Sequence, residues 1–171
     1  QNKNIKGIIG MTFLDQQRLD VKKGTMRFSQ LSPITLPTMK IIAITPLGNM
    51  PLPMSLVSKM YALTNDQEAL NIMLNDRTSA GNSMSLNFLN SYMNYQPKYN
   101  ISAFTQCLIL LTQPAEDHWT PLAYSQSVMN QLTVPHQVVM LPKGGHYPVE
   151  AEALEQLQSS SIQFIQQNLA R

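Results

Sequence analysis

Two loops of this sequence each carry one residue suited to acid–base chemistry. Asp117 stands in the segment Asp-His-Trp-Thr-Pro, and His146 follows 29 positions later in the segment Gly-Gly-His-Tyr-Pro. A histidine whose Nδ1–H is held by a carboxylate can act as a general base at neutral pH. The two glycines before His146 allow the backbone to turn tightly, so that the imidazole projects from its loop. The two loops can therefore form an acid–base pair if the fold brings them together.

Strands and helices alternate in the last part of the sequence and would position these loops. Apolar runs predict buried strands at residues 107–111 and 137–141. Helices are expected at 121–132, with proline in the first turn, and at 149–169. The apolar face of the last helix would be Ala153, Leu154, Leu157, Ile162 and Ile165. This alternation predicts a parallel sheet with right-handed crossovers, and both loops would lie at the carboxyl edge where catalytic groups collect.

The first hundred residues have a different pattern. A short apolar run at residues 5–11 predicts one more buried strand. From about residue 16 to residue 100, apolar residues at helical spacing predict three helices, at Leu56, Met60 and Leu63, at Ala69, Leu70, Met73 and Leu74, and at Leu86, Leu89 and Met93. The expected caps are Asn65 or Asp66 for the second helix and Asn82 or Ser83 for the third. Upstream prolines indicate turns and extended pieces between short helices: Pro33, Pro37, Pro46, Pro51 and Pro53.

The two loops together resemble those of the α/β-hydrolases. In that family the triad runs along the chain as Ser, then Asp or Glu, then His. The acid follows the penultimate strand and the histidine follows the last one. The Asp-x-x-x-Pro segment at Asp117 and the Gly-Gly-His-Tyr-Pro segment at His146 are similar to these loops. The resemblance implies that Asp117 is the triad acid and His146 the general base.

The same resemblance implies the fold class and the domains. The chain would be α/β, the C-terminal part of an α/β-hydrolase parallel sheet with a mainly helical cap insertion. Residues 1–15 would form a core strand, residues 16–100 the cap inserted after it, and residues 101–171 the core that carries the acid and histidine loops. The resemblance thus covers nearly the whole chain but only the second half of the family's fold.

Other roles for these loop residues remain open. An aspartate before a proline-started helix often serves as a turn or capping residue, and a lone histidine is often structural. Asp15 is an alternative acid, because some relatives carry the acid after the earlier strand, and Glu116 is a weaker alternative. His118 and Trp119 are expected to pack in the loop or line the cleft.

The nucleophile of such a triad is missing from the sequence. No Gly-x-Ser-x-Gly turn occurs, and the nearest approach, around Ser83, lacks both a preceding strand and the second glycine. Ser83 fits a helix cap better. We therefore expect the nucleophile, whose identity is unknown, on an N-terminal part of the protein outside this chain. That missing half, or a second copy, would also cover the sheet edge that two or three strands leave unpaired.

The resemblance implies a carboxylic-ester hydrolase that works through an acyl-enzyme, a serine hydrolase of the esterase, lipase or lysophospholipase kind. Eight of the eleven methionines fall in the predicted cap, where we expect an adaptable core, a deformable apolar binding surface, or both. The expected partner is therefore a small hydrophobic or lipid-like ester. The alternative is a catalytically inactive hydrolase fragment or an interaction module. An α/β enzyme without a serine nucleophile is a third option, although no phosphate-binding glycine loop is present.

Composition argues against several other classes of function. Charged residues make up 13% of the chain and its formal net charge is +2, so no nucleic-acid partner is expected. The three histidines lack metal-ligand spacing, and Cys107 lies in an apolar run that suits a buried thiol. We expect no metal and no organic cofactor. No apolar stretch reaches the ~18–20 residues of a transmembrane segment, and no signal peptide is recognised, so a cytoplasmic protein is expected.

Overall fold

The computed structural model of the chain describes residues 5–169. Residues 1–4 of the predicted first segment and residues 170–171 of the predicted C-terminal core lie outside the described residues. The described elements, in chain order, are β1 (Gly7–Gly10), α1 (Leu19–Thr25), α2 (Ser32–Ala43), β2 (Pro51–Pro53), α3 (Met54–Val57), α4 (Gln67–Asn75), β3 (Ser83–Ser85), α5 (Leu86–Met93), β4 (Leu108–Pro114), α6 (Leu122–Met129), β5 (His136–Leu141) and α7 (Ala151–Leu169). Contacts divide the chain into two compact units. One contains the residues up to Asp15 and those from Pro97 onwards, and the other contains Gln16–Gln96.

The first unit is built on a parallel sheet, which confirms the α/β fold class. Its three strands lie in the order β1-β4-β5, and both pairs are parallel. The central strand β4 is almost wholly buried, because helices cover both faces of a parallel sheet and shield its middle strand from solvent. The carboxyl ends of β4 and β5 lie side by side, since Pro114 pairs with Leu141. The loops that follow these strands therefore leave from the same edge.

Helices cover the two faces of this sheet. On one face, Ile109 and Leu111 of β4 pack against Met129 of α6 in a core cluster. On the other face α7 contacts all three strands, and Phe164 lies against β1 at Gly7. A Cβ atom on Gly7 would come within 2.7 Å of the Phe164 ring, so a larger residue there would force the ring to shift. Full burial of each apolar side chain in these layers contributes about 1.5–3 kcal/mol.

The buried face of α7 differs from the predicted one. Ala153, Ser160, Phe164 and Asn168 are buried, and their spacings of seven, four and four residues place them on one helix face. The predicted members Leu154, Ile162 and Ile165 are 44%, 46% and 46% exposed. The prediction followed the aliphatic residues and omitted Phe164. Asn168 is tolerated in the buried face because its side-chain amide donates to the Phe164 carbonyl oxygen at 2.7 Å.

The second unit is mainly helical, with a small antiparallel sheet of β2 and β3. The predicted helices at 69–74 and 86–93 correspond to α4 and α5, which bury Leu70 in the first case and Leu89 and Met93 in the second. The predicted helix at 56–63 is wrong. The chain leaves α3 at Ser58, which is extended and pairs with Met26 in an isolated bridge. This tertiary contact overrides the helical pattern, and only a short 3-10 turn follows, at Met60–Ala62.

The helix starts show which side chains cap. Asp66 caps α4, as predicted, by accepting from the Ala69 N–H at 2.7 Å. Neither Asn82 nor Ser83 caps α5. Ser85 does so, because its hydroxyl oxygen accepts from the Phe88 N–H at 3.2 Å, while Ser83 belongs to strand β3.

The proline-rich stretch contains a longer helix than predicted. Pro33 lies in the first turn of α2 and Pro37 lies inside the helix. A proline in the first turn costs little, since its missing N–H would have no helical partner there. Pro51 and Pro53 lie in β2, in accord with the extended pieces expected from the prolines. No helix among the described residues is both long enough and apolar enough to cross a membrane.

Candidate active site

The acid and histidine loops are joined by backbone hydrogen bonds at the carboxyl edge of the sheet. Directly after β4, the Ala115 N–H donates to the Leu141 carbonyl oxygen at 2.9 Å. The next amide, that of Glu116, donates to the Gly144 carbonyl oxygen at 3.0 Å. The loop after β4 therefore continues the pairing with the chain after β5. This pairing brings Asp117 and His146 together although they are 29 positions apart.

Asp117 is held by four hydrogen bonds. Its Oδ1 accepts from the Trp119 N–H at 2.9 Å and from the Thr120 N–H at 2.7 Å. Its Oδ2 lies 2.8 Å from the Thr120 hydroxyl and 2.9 Å from His146 Nδ1. The Asp117 side chain has no exposed surface. Because it accepts from its own loop as well as from His146, the turn-forming role and the acid role are both compatible with the geometry.

Two opposing effects set the ionisation of Asp117. Burial raises the pKa of the Asp117 carboxyl, because the low-dielectric interior penalises the charged form. The hydrogen bond and the charge of His146, together with the hydrogen bonds from Thr120, lower the pKa of Asp117 and prevail. The pKa of Asp117 therefore lies below its ordinary value of 3.8. The group is a carboxylate at neutral pH, as the orienting acid of a dyad must be.

The His146 imidazole lies between two aromatic rings. The centroid of the Trp119 ring is 4.6 Å from that of the imidazole, and the Tyr147 ring meets the imidazole edge-on at 5.3 Å. The His146 side chain keeps 15% of its surface exposed. With Nδ1 directed at Asp117, the ring is fixed in orientation while part of it still reaches solvent. Trp119 was expected to pack in the loop or line the cleft, and its ring packs on the imidazole of His146.

The turn before His146 is made by a different residue than predicted. The glycines were expected to supply the tight turn, but neither has a positive φ, whereas Lys143 has a φ of 57°. Gly144 and Gly145 are both buried. A Cβ atom on Gly144 would lie 3.2 Å from the Ala153 Cβ atom of α7. Gly144 therefore allows the loop to pack closely on the helix, and the left-handed turn precedes it.

A buried polar network extends from the acid loop into the sheet. The Thr120 carbonyl oxygen accepts from Gln113 Nε2 at 3.1 Å, and Gln113 Oε1 accepts from the Ser125 hydroxyl at 2.8 Å. The Ser125 hydroxyl oxygen in turn accepts from the Phe13 N–H at 3.0 Å. Sequence analysis missed Thr120, Gln113 and Ser125. The available signal was a glutamine inside the apolar strand β4, since a buried amide requires partners.

The other candidate residues lie elsewhere. Asp15 is half-buried after β1, and His118 and Glu116 are exposed beside Asp117. Ser83 is exposed in β3 of the second unit, so the structure gives it no role in this site. The half-buried Cys107 precedes β4, and burial raises the pKa of its thiol.

The first unit also has a cavity of about 200 Å³ away from this site. Its lining includes Leu108, Ile109 and His136, which begin β4 and β5. Asp117 and His146 follow the opposite ends of those strands. Among residues 5–169, no three His, Cys, Asp or Glu side chains are grouped so that they could hold a metal ion.

Comparisons with solved structures identify the fold. The chain is similar to the crystal structure of a monoacylglycerol lipase from Paleococcus ferrophilus, with a TM-score of 0.56 and 13% identity over 95% of this chain and 59% of that one. It is also similar to the hypothetical protein PA2218 from Pseudomonas aeruginosa, with a TM-score of 0.58 and 15% identity over 98% of this chain and 55% of that one. No protein-family model matches the sequence, and no curated protein matches it.

The chain spans less than two thirds of the length of both structures. At 13% and 15% identity these similarities establish the fold alone. The expected fold class agrees with the three parallel strands, the helices on both sheet faces and these structural neighbours. This chain has an α/β-hydrolase fold.

Proposed function

We propose that this chain carries the acid and the general base of a carboxylic-ester hydrolase whose nucleophilic serine lies on a part of the protein outside this chain. The observation that carries the proposal is the 2.9 Å contact between Asp117 Oδ2 and His146 Nδ1. The pair stands at the carboxyl edge of a parallel sheet, where catalytic groups of such folds collect. The carboxylate is buried and ionised, and the imidazole is oriented and partly exposed.

The geometry suits a defined sequence of proton transfers. With Nδ1–H donating to Asp117, the Nε2 atom of His146 carries the lone pair. Nε2 takes the proton of the serine hydroxyl as its oxygen attacks the ester carbonyl carbon, and the tetrahedral intermediate forms. The imidazolium then protonates the leaving alcohol, which yields the acyl-enzyme. Water, deprotonated by the same Nε2, then attacks the acyl carbon. The bond to the serine oxygen breaks, the imidazolium returns its proton to that oxygen, and the carboxylic acid leaves.

Three observations support a nucleophile outside the chain. The sequence has no Gly-x-Ser-x-Gly segment, and it spans only 59% and 55% of the two similar structures. In addition, β1 pairs with β4 alone among the described residues, so its second edge can accept a further strand. The serine would be supplied by an upstream segment of the same polypeptide or by a separate associated chain, which includes a second copy.

The proposed substrate is a hydrophobic, lipid-like ester such as a monoglyceride or a lysophospholipid. One of the similar structures is a monoacylglycerol lipase. The helical unit of this chain is rich in methionine, and Met26, Met39, Met54, Met73 and Met84 are only half-buried. Flexible thioether side chains adapt to acyl chains of different shape.

The test is covalent labelling of the full-length protein with a fluorophosphonate probe, followed by intact-mass analysis. We expect one adduct on a serine outside this chain, its loss in His146→Ala, and hydrolysis of long-chain esters in preference to short ones. The variant His118→Ala is the matched control, since His118 is exposed in the acid loop, and it should be labelled like the wild type. An unlabelled wild-type protein would favour the alternative of an inactive hydrolase fragment or interaction module. Preference for short, polar esters would contradict the lipid-like substrate only.

A further inference from the structure

The Thr120 side chain touches both members of the acid–base pair. Its Oγ1 atom lies 2.8 Å from Asp117 Oδ2 and 3.0 Å from His146 Nδ1. These three atoms form a triangle, because Oδ2 and Nδ1 are themselves 2.9 Å apart. Thr120 is 1% exposed, so water cannot take over these contacts. The hydroxyl is therefore a fixed part of the site.

Counting protons in this triangle determines the histidine tautomer. A carboxylate oxygen only accepts, and a hydroxyl supplies one proton. If Nδ1 were unprotonated, the single hydroxyl proton could be donated to only one of the other two atoms. Nδ1 and Oδ2 would then be two acceptors 2.9 Å apart with no proton between them. With Nδ1 protonated, the hydroxyl donates to Oδ2, while Nδ1–H donates to Oδ2 and is shared with the hydroxyl oxygen. Of the two neutral tautomers, only the one that leaves the Nε2 lone pair available satisfies the triangle.

The backbone of Thr120 is fixed as firmly as its hydroxyl. Its N–H donates to Asp117 Oδ1 at 2.7 Å, and its carbonyl oxygen accepts from Gln113 Nε2 at 3.1 Å. The orientation of the Gln113 amide is set by these partners, since a flipped amide would direct its oxygen at the Thr120 carbonyl. Ser125 donates to the oxygen end of the same amide. The acid loop is thus tied to β4 and α6 by groups that are 0% exposed.

We propose that Thr120 is a positioning residue that holds His146 in the Nδ1–H tautomer, with Gln113 anchoring the Thr120 backbone from β4. The inference rests on the proposed hydrolase function, because the tautomer matters only if Nε2 accepts a proton. Thr120 acts through the acid and the histidine and does not touch substrate.

The test compares Thr120→Val with Thr120→Ser in the full-length protein. Valine has nearly the shape of threonine and lacks the hydroxyl, whereas serine keeps it. We expect kcat for ester hydrolysis to fall by about tenfold to a hundredfold in Thr120→Val with KM nearly unchanged, since one hydrogen bond to a charged group is lost. Thr120→Ser should remain close to the wild type. Equal losses in both variants would overturn the proposal.

A second measurement does not depend on activity. The nitrogen and proton resonances of His146, observed by NMR, report directly whether Nδ1 carries the proton. We expect a clear Nδ1–H signal in the wild type and in Thr120→Ser, and a weakened or exchanging one in Thr120→Val. If the wild-type protein hydrolyses no ester, the proposed function fails, and this comparison still decides the role of Thr120.

Two further variants complete the design. Thr112→Val makes the same chemical change at a buried threonine of β4 whose hydroxyl contacts the Gly10 carbonyl at 3.4 Å, and it should alter neither kcat nor the Nδ1–H signal. Gln113→Leu removes the donor to the Thr120 carbonyl and should weaken both. If Thr120→Val does not fold, Gln113→Leu decides between the two outcomes. Wild-type kcat and an intact Nδ1–H signal in Gln113→Leu or in Thr120→Val would overturn the proposal.

Discussion

Replacing Asp117 by asparagine and by alanine should separate its structural role from its chemical role. The carboxylate accepts four hydrogen bonds: two backbone N–H groups at Oδ1, and the Thr120 hydroxyl and His146 Nδ1 at Oδ2. Asparagine keeps an oxygen for the two backbone donors and places an NH2 group where Oδ2 was. The Thr120 oxygen can accept from this group, and so can His146 Nδ1 once its proton has moved to Nε2.

The structure therefore predicts very different free-energy costs. Asp117→Asn should lose about 1 kcal/mol of unfolding free energy, because the two backbone N–H groups keep their acceptor and the new NH2 group finds acceptors in Thr120 and His146. Under the proposed hydrolase function it should nevertheless lose ester-hydrolysis activity by about 10³- to 10⁴-fold, since the wrong tautomer leaves no base at Nε2. Asp117→Ala removes the acceptor that these four groups share and leaves the two backbone N–H groups of the loop unpaired, and the loss of one partner of a buried charged pair costs about 3–5 kcal/mol.

The assay is urea unfolding of the full-length protein, monitored by tryptophan fluorescence. It is combined with measurement of kcat/KM for an ester substrate. Glu116→Gln is the matched control, because this neighbouring acid is exposed and its substitution should change stability by less than about 0.5 kcal/mol. The reasoning would be refuted if Asp117→Asn were as destabilised as Asp117→Ala, or if Asp117→Asn kept more than a tenth of wild-type kcat/KM.

Three further outcomes follow from the structure. Because the pKa of Asp117 is lower in the folded chain than its ordinary 3.8, the stability that its charge contributes is fully present above that value and disappears as the pH falls through the folded pKa. The stability advantage of wild type over Asp117→Asn should therefore shrink below about pH 4 in pH-dependent urea unfolding, and a constant difference would contradict this. Ser85→Ala should lower the unfolding free energy by about 0.5–2 kcal/mol through loss of the α5 cap, while Ser83→Ala should change it by less than about 0.5 kcal/mol. Since burial raises the pKa of Cys107, this thiol should react with Ellman's reagent more slowly than free cysteine at pH 8, and equal rates would show that it is accessible and ionised.

The sequence was sufficient to predict the α/β fold class and most elements of the first unit. Strand β4 was predicted at 107–111 and found at Leu108–Pro114, and β5 was predicted at 137–141 and found at His136–Leu141. A buried parallel strand is a nearly continuous apolar run, so its position can be recognised from the local sequence. The contact between Asp117 and His146 could also be anticipated, because parallel strands present their following loops at one edge.

Several other features were decided by tertiary structure. Ser58 leaves its helical pattern to pair with Met26, and the buried face of α7 is set by which residues meet the sheet, with Phe164 filling the space above Gly7. Neither contact has a local signature, because each joins residues that are far apart in the chain. Lys143, and not a glycine, takes the left-handed conformation before His146. Gly144 is required for a different reason, because the loop packs closely on α7 at that position.

The sequence by itself pointed to side chains of types that perform acid–base chemistry, and the tertiary structure decided how they are held. Residue types and strand order pointed to Asp117 and His146, because acid–base chemistry needs those side chains at a sheet edge. The hydrogen bonds through Thr120, Gln113 and Ser125 became visible only in the structure. A hydrogen bond forms only within about 3 Å and along defined directions. Residue order does not specify such distances, and only the packed sheet and helices bring these groups close enough.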